Sequence, residues 1–121
     1  MKRVSLFKVL VVASLIASCS NSSPADLVDA TPLPAVVSYD ANVKPIIDAN
    51  CVSCHTSVYG NSSPYSFTNY TTVRQSAENG ELIQRINRQP NDFMLMPQGG
   101  PKLPQNKIDI IQRWIDQGFN Q

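Results

Sequence analysis

Short runs of apolar residues at helical spacing lie between residues 39 and 118, and they predict a protein built from helices. The first run leads into a pair of cysteines. Its members recur every three or four residues: Val43, Ile46, Ile47 and Cys51. We expect the regular helix to begin near Lys44, with Asp40 at or near the N-cap and Pro45 in the first turn, where proline is tolerated. The two cysteines, Cys51 and Cys54, then fall on its last turn.

Two shorter helices are predicted in the middle of the chain. One begins after Thr68 or Asn69, carries Tyr70 and Val73, and is broken by the turn-forming residues 79–80. The other covers residues 81–88. Its buried side is expected to comprise Leu82, Ile83 and Ile86.

The last helix is predicted over residues 104–117, because proline is accepted at a helix start and Gly118 is a natural stop. One apolar stripe runs along it: Ile108, Ile111 and Ile115. Trp114 flanks the stripe and is expected to pack against the first helix, while its indole N–H bonds to a backbone carbonyl or to an acidic group of a bound molecule. The segments between the helices are rich in Pro, Gly, Ser and Asn and predict loops. We therefore expect a single all-α domain of about 3–5 short helices.

The start of the chain predicts export. Residues 1–18 combine a basic beginning with an apolar run that is too short to span a bilayer permanently, as in a secretory signal peptide. The stretch Ile16-Ala17-Ser18-Cys19 resembles a bacterial lipobox. We expect cleavage before Cys19 and lipidation of that cysteine, with an ordinary cleaved signal as the alternative. Several acyl chains would make the anchoring stable.

Residues 19–38 predict a flexible tether, since they are rich in Ser, Pro, Ala and Asp and show no sustained apolar period. As a coil, residues 20–38 would span roughly 24 Å. Removal of the signal leaves seven basic and nine acidic residues, a formal net charge of −2. No clustered basic surface remains, so nucleic acid is not an expected partner. The folded domain is then residues 39–121.

The sequence Cys51-Val52-Ser53-Cys54-His55 carries the strongest chemical signal. Two cysteines two residues apart, followed at once by histidine, are typical of covalent c-type haem attachment. The two thiols each bond to one vinyl group of the porphyrin. The histidine is then held beneath the iron as its proximal ligand. We expect one covalent haem c, whose iron and apolar surface also stabilise a domain this small.

Two other interpretations of this motif are less well supported. A zinc site needs four ligands, but this chain has only one histidine and no second CxxC pair. A thioredoxin-like redox pair needs a βαβ pattern, which is absent from the sequence. Export also favours haem, because c-type haem is attached after translocation in bacteria.

A candidate distal ligand lies in the proline-rich segment 89–104. His55 is the only histidine, so a second histidine ligand from the same chain is impossible. After loss of Met1, only Met94 and Met96 supply a thioether sulfur, the soft ligand that suits haem iron. Being two residues apart, they point to opposite sides of an extended segment. We favour Met96, next to Pro97, and keep Met94 as the alternative.

Other side chains are candidates for contacts to the haem. One of three arginines, Arg74, Arg85 and Arg88, is a candidate partner for a propionate, although a solvated side chain is the default for each. The backbone carbonyl near Pro64 is a candidate acceptor for the second ring N–H of His55, because ligating histidines usually donate that proton. The aromatic residues of the loop at residues 56–68 are expected to cover the proximal face of the haem.

In this order, the segments resemble the small bacterial class I (cytochrome c-like) monohaem domain. Two continuous segments match, Met96–Leu103 and Ile111–Gly118. The matching residues before them are Tyr39, Asp40, Val43, Pro45, Ile46, Ile47, Asn50, Cys51, Cys54 and His55. The resemblance implies helices wrapped around one haem, thioether bonds at Cys51 and Cys54, and iron ligation by His55 and Met96. Such chains commonly place Ser or Thr before the final helix, whereas this chain has Leu103-Pro104.

The resemblance implies a one-electron carrier of the cell envelope rather than an enzyme. Its partners would be redox proteins and a membrane reached through the lipid on Cys19, on the periplasmic side. The serine after Cys19 favours the outer membrane, and a monomer is expected. Two alternatives remain. One is a sensor or catalytic haem protein with an open distal site, and the other is a tethered haem subunit of a larger redox complex.

Overall fold

The computed structural model describes residues 32–56 and 66–121, and all regular secondary structure in these residues is helical. A π-helical turn, Tyr39–Val43, runs directly into helix α1, Lys44–Asn50. Three further helices follow: α2 (Tyr70–Glu78), α3 (Glu81–Ile86) and α4 (Gln105–Asp116). The expected all-α class is confirmed for this part of the chain. The expected signal peptide, Cys19 and Pro64 lie outside the described residues.

The first helical segment begins earlier than the sequence indicates. Ser38, not Asp40, is the N-cap, and its hydroxyl accepts a hydrogen bond from the Ala41 N–H at 3.3 Å. Asp40 lies in the first turn, where its charge still favours the positive end of the helix. The start of regular α-helix at Lys44, with Pro45 in the first turn, is confirmed.

The cysteine motif lies just beyond α1 rather than on its last turn, which corrects the prediction for Cys51 and Cys54. The last turn of α1 is closed by the Ile47 carbonyl, which accepts from the N–H groups of both Cys51 and Val52, at 2.8 and 3.2 Å. This shared acceptor ends the regular hydrogen-bond pattern. The motif therefore forms turns that follow directly on α1.

The core forms where α4 packs on the π-helical turn. Trp114 is fully buried, and its ring contacts Tyr39, Tyr70 and Phe119 with centroid distances of 5.7, 6.2 and 5.1 Å. Its indole N–H donates to the Asn120 carbonyl at 2.8 Å, one of the two partner types expected for it. Trp114 is thus part of the buried face of α4 together with Ile108 and Ile111, while Ile115, which was expected in the stripe, is only partly buried.

Helices α2 and α3 form a hairpin. Asn69 caps α2 by accepting from the Thr72 N–H at 3.1 Å, and Gly80 joins the helices with a φ of 75° that favours glycine. The predicted break at residues 79–80 is confirmed. Helix α3 ends at Ile86, two residues before the predicted end, and Ile83 is partly buried rather than buried.

Residues 33–38, here called the N-terminal strap, bond to the C-terminal half of α4 although they were assigned to the tether. The Arg113 guanidinium donates to the carbonyls of Leu33 and Pro34 at 3.3 and 2.9 Å. The Gln117 side chain donates to the Ala35 carbonyl at 2.7 Å and accepts from the Val37 N–H at 2.8 Å. Val37 itself is fully buried. The packed part of the chain therefore begins at about residue 33.

None of the helices in the described residues combines the length and the apolar character that a bilayer crossing requires.

Candidate functional site

The turns after α1 set the positions of the two thiols and the imidazole. The Cys51 carbonyl accepts from the N–H groups of Cys54 and His55, at 3.1 and 2.9 Å. Both cysteines are free thiols. Cys51 is partly buried against the core, and Cys54 is exposed. Residues 51–55 thus present two sulfur atoms and one imidazole to the same side of the molecule.

These residues line a cleft of about 500 Å³. One part of its wall comes from the end of α1 and the cysteine turns, together with Phe67. Another comes from Ser76 of α2 and one face of α3, and a third from the loop at residues 96–98. The predicted site residues Cys51, Cys54, His55 and Met96 all contribute to this wall. Its volume is in the range usual for cofactor and ligand pockets.

His55 is held from two directions. Its N–H is bonded to Cys51, and its carbonyl accepts from the Phe67 N–H at 2.8 Å. The imidazole stacks on the Phe67 ring at a centroid distance of 4.7 Å and an interplanar angle of 24°. Phe67 is 6% exposed, so its ring is a fixed platform. Of the loop aromatics, Phe67 lies within the described residues, and its ring lies against His55.

The methionine loop is braced on α3. The Met96 N–H donates to the Arg85 carbonyl at 3.2 Å, and the Leu95 N–H donates to the Asp92 carbonyl at 2.9 Å. Leu95 is buried, so its side chain is packed within the protein although it is not part of the main core cluster. Met96 lines the cleft, whereas Met94 is not among its lining residues. The geometry therefore brings Met96 together with His55 and leaves Met94 elsewhere on the loop.

The three candidate arginines have different environments. Arg74 pairs with Glu78 at 2.7 Å and lies over the Phe119 ring, 5.3 Å from its centroid. Arg88 pairs with Asp92 at 2.7 Å. Arg85 lines the cleft, and within the described residues it forms no ion pair. Arg85 is the arginine placed to meet an acidic group in the cleft.

Ser76 is a cleft residue that the sequence interpretation missed. It is 1% exposed, yet it is polar and lines the cleft. The signal was available, because Ser76 follows the buried Val73 by three residues and so lies on the same face of α2. Periodicity based on apolar residues alone passes over such a serine.

Two pKa shifts mark the electrostatics of the site. Burial raises the pKa of the Cys51 thiol to about 11, and the charge of a nearby Cys54 thiolate adds to the rise. The pKa of Asp92 is lowered, first by the hydrogen bond from Arg88 and then by the bond from the Met94 N–H. The neutral thiol is thus favoured at the cleft wall, and the carboxylate is favoured in the methionine loop.

The residues present fit a covalently attached haem. The cleft offers two thiols two residues apart, an adjacent imidazole, a thioether from a separate segment and apolar walls at Phe67, Leu82 and Ile86. Within residues 32–56 and 66–121, no three His, Cys, Asp or Glu side chains are grouped to hold a metal ion. The two thiols, the imidazole and the thioether fit haem c, whereas a structural zinc site needs four Cys or His ligands.

Compared with known proteins, the chain matches no family model, no curated sequence and no solved structure.

Proposed function

We propose that this protein is a one-electron carrier, a c-type cytochrome of the bacterial cell envelope with a single haem. The observation that carries the proposal is the convergence of Cys51, Cys54, His55 and Met96 on one cleft. The sequence places the first three together by their spacing. Met96 comes from a segment more than forty residues later, and its place in the same wall is what the fold adds to the motif.

Each residue has a distinct role in holding the haem. Cys51 and Cys54 would hold the haem covalently, each through a thioether bond to one of its two vinyl groups. His55 is the proximal iron ligand and Met96 the distal one. The haem supplies an iron that cycles between the ferric and ferrous states. A neutral thioether favours the ferrous state and so raises the reduction potential.

The surrounding contacts support electron transfer over ligand chemistry. The ring of His55 is stacked on the buried Phe67, and the backbone at Met96 is bonded to α3. Groups held this firmly move little when the iron changes its charge. Two protein ligands also leave the iron no open position for a substrate. Arg85 is the candidate partner for a propionate at the cleft.

The visible spectrum of the haem-loaded full chain tests this proposal. We expect a weak near-red sulfur-to-iron band in the ferric protein that is lost in Met96→Ala and kept in Met94→Ala. These two variants are matched, since both shorten a partly buried methionine of the same loop. Loss in Met94→Ala alone would move the distal ligand to that residue. Absence of the band, with ready carbon monoxide binding by the reduced wild type, would favour a sensor or catalytic haem protein.

The proposal includes a lipid anchor on Cys19, exposed to the periplasm. It is supported by the lipobox-like sequence before this residue. Intact mass of the protein from membranes should show an acylated Cys19 and the added haem. Cys19→Ser should release the haem protein from washed membranes. Retention of the variant on the membrane would indicate a protein partner instead, as in a tethered subunit of a larger complex.

A further inference from the structure

Ser76 is the least exposed residue of the cleft wall, although it is polar. It is 1% exposed, and the apolar wall residues Leu82 and Ile86 are 4% and 2% exposed. Within the described residues its hydroxyl forms no hydrogen bond, not even with the carbonyl one turn earlier in α2. Serines inside helices often bond to that carbonyl. The Ser76 hydroxyl is therefore a donor that the described residues leave without a partner.

The oxygen of this hydroxyl is open to the cleft. In the part of the chain that the structure describes, one buried side-chain atom is both inaccessible and without a partner, and it is Arg88 Nε. The Ser76 oxygen is not such an atom, and its residue lines the cleft, so its remaining accessible surface lies there. Because a buried hydroxyl without a partner is costly, this group indicates that a polar atom enters the cleft.

Arg85 brings a positive charge to the same cleft from α3. Among residues 32–56 and 66–121 it forms no ion pair, although two acidic residues could compete for it. Glu81, four residues earlier, is an exposed residue of the cleft wall and does not pair with it. Asp92 pairs with Arg88, and Arg85 is the smallest of the causes that lower the pKa of Asp92. The Arg85 guanidinium is thus available to an acidic group in the cleft.

The connection between α2 and α3 keeps these two donors near each other. Ser76 lies three residues before Asn79, and Arg85 lies five residues after Gly80. At about 1.5 Å of rise per residue, each donor is within about 8 Å of the connection along its own helix. Since both side chains line one cleft, a single group bound between the two helices can bond to both.

We propose that Ser76 and Arg85 form a two-donor site for a carboxylate, and that one propionate of the haem occupies it. This inference rests on the proposed function for the haem, and it adds the second donor and the group that the two donors share. Hydrogen bonds to a charged acceptor are roughly twice as strong as those to a neutral one, whereas the Met96 thioether is only a weak acceptor. A buried carboxylate in turn needs a nearby charge and a hydrogen bond to offset its lost hydration.

The site also affects the reduction potential. A negative carboxylate near the iron stabilises the more positive ferric state. The Arg85 charge and the Ser76 hydrogen bond oppose this effect, so both donors should raise the potential. Ser76 acts here as a positioning residue, because it touches the carboxylate and not the iron.

Resonance Raman spectra and reduction potentials of the haem-loaded full chain test the site. The propionate bending band reports on hydrogen bonds to these carboxylates. We expect it to shift in Ser76→Ala and in Arg85→Gln, and to keep its wild-type position in Ser76→Thr, which retains the hydroxyl. The potential should fall in the first two variants. In the double variant it should fall by less than the sum of the two, because the donors share one acceptor.

Two matched variants change similar groups of α2 outside the cleft wall. Thr72→Ala removes a hydroxyl that donates to the Asn69 carbonyl at 3.1 Å, and Arg74→Gln removes a guanidinium that pairs with Glu78 at 2.7 Å. Both should leave the propionate band in place. Their shifts in potential should be several-fold smaller than those of the cleft variants.

The possible results separate this site from its alternatives. An unchanged propionate band in Ser76→Ala would overturn the site. A moved sulfur-to-iron band in that variant would then assign the hydroxyl to the Met96 thioether, and no change in either band would make Ser76 a packing residue. Fully additive shifts in potential would refute a shared carboxylate.

The wild-type protein separates failure of this site from failure of the proposed function. An intact mass without haem would refute both. A covalent haem without the sulfur-to-iron band would refute ligation by His55 and Met96, yet the propionate band would still decide whether Ser76 and Arg85 bind the carboxylate.

Discussion

Cys51 and Cys54 are chemically alike but lie in different environments. Burial raises the pKa of Cys51 to about 11, while Cys54 is exposed to solvent. A raised thiol pKa means less thiolate at any pH below it, so at pH 8 Cys51 should have about 100-fold less thiolate than an ordinary thiol. In the haem-free chain we expect iodoacetamide to modify Cys54 first, as followed by peptide mass spectrometry.

The pH dependence of the alkylation rate shows whether the pKa of Cys51 is raised or lowered in the folded chain. The alkylation rate at Cys51 should keep rising until about pH 11. Denatured chain is the control, since both thiols then react without a folded environment. A Cys51 rate that levels off near pH 9 in the folded chain would contradict the placement of this thiol in the cleft wall.

Phe67 is the side chain that fixes the imidazole. It is 6% exposed and stacks on His55, so Phe67→Leu keeps apolar volume but removes the flat ring contact. We expect the haem-loaded variant to lose about 1–2 kcal/mol of unfolding free energy in urea. Phe93→Leu is the matched control, because Phe93 is 84% exposed and the same change there should have almost no effect. Equal losses at both positions would argue against the platform role.

At the scale of single elements, the methionine loop depends on a carboxylate. Asp92 accepts from the Arg88 guanidinium at 2.7 Å and from the Met94 N–H at 2.8 Å, and these bonds lower its pKa below 3.8. A carboxyl whose folded pKa is lowered adds stability above its unfolded pKa and loses it as the pH falls through the folded value. The loop should therefore be acid-sensitive.

We predict that wild type has a higher urea midpoint than Asp92→Asn at pH 6, and that this difference shrinks as the pH falls below 3.8 and is lost once the pH is below the folded pKa of Asp92. The asparagine amide still accepts from Met94 but carries no charge. Asp109→Asn is the control, as Asp109 accepts from the Gln105 side chain on exposed α4 surface without a charged partner. A difference that stays constant down to pH 3 would show that charge at residue 92 is unimportant.

Besides Arg113, the side chain of Gln117 holds the strap, because it both donates and accepts a hydrogen bond. Gln117→Ala removes the bonds to Ala35 and Val37, at 2.7 and 2.8 Å, and should cost about 1–2 kcal/mol in the haem-loaded protein. Gln112→Ala is the matched control, because within residues 32–56 and 66–121 the Gln112 side chain bonds only to Asp116 on the same helix. Hydrogen exchange should increase at Val37 in Gln117→Ala alone. Unchanged exchange there would mean that Gln117 does not hold the strap.

The starts and ends of the helices were predictable from the sequence where turn-forming and capping residues determine them. The break at residues 79–80, the start of regular α-helix at Lys44 and the stop near Gly118 follow from turn and cap preferences of the residues themselves. The position of the cysteine motif was missed by one turn because the Ile47 carbonyl accepts twice. Such a shared acceptor has no pattern in the sequence.

The strap and the cleft required the fold. In the sequence, residues 33–38 resemble a linker because they show no local apolar periodicity. Their hydrogen-bond partners are side chains about 80 positions later, which no local pattern reveals. The cysteines and His55 were identifiable from spacing alone. The place of Met96 in the cleft depends on α3, whose Arg85 carbonyl holds its backbone, and Arg85 was one of three equal candidates until the cleft separated them.

At the scale of the whole molecule, the strap belongs to the folded unit. Val37 is fully buried, and full burial of such a side chain stabilises a fold by about 2 kcal/mol. A chain that starts at Tyr39 should therefore be about 2 kcal/mol less stable than one that starts at Pro32, measured by urea unfolding with haem bound. Val37→Ala in the longer chain should show a large part of this loss, because its side chain carries most of the burial. Equal stability of the two lengths would return residues 33–38 to the tether.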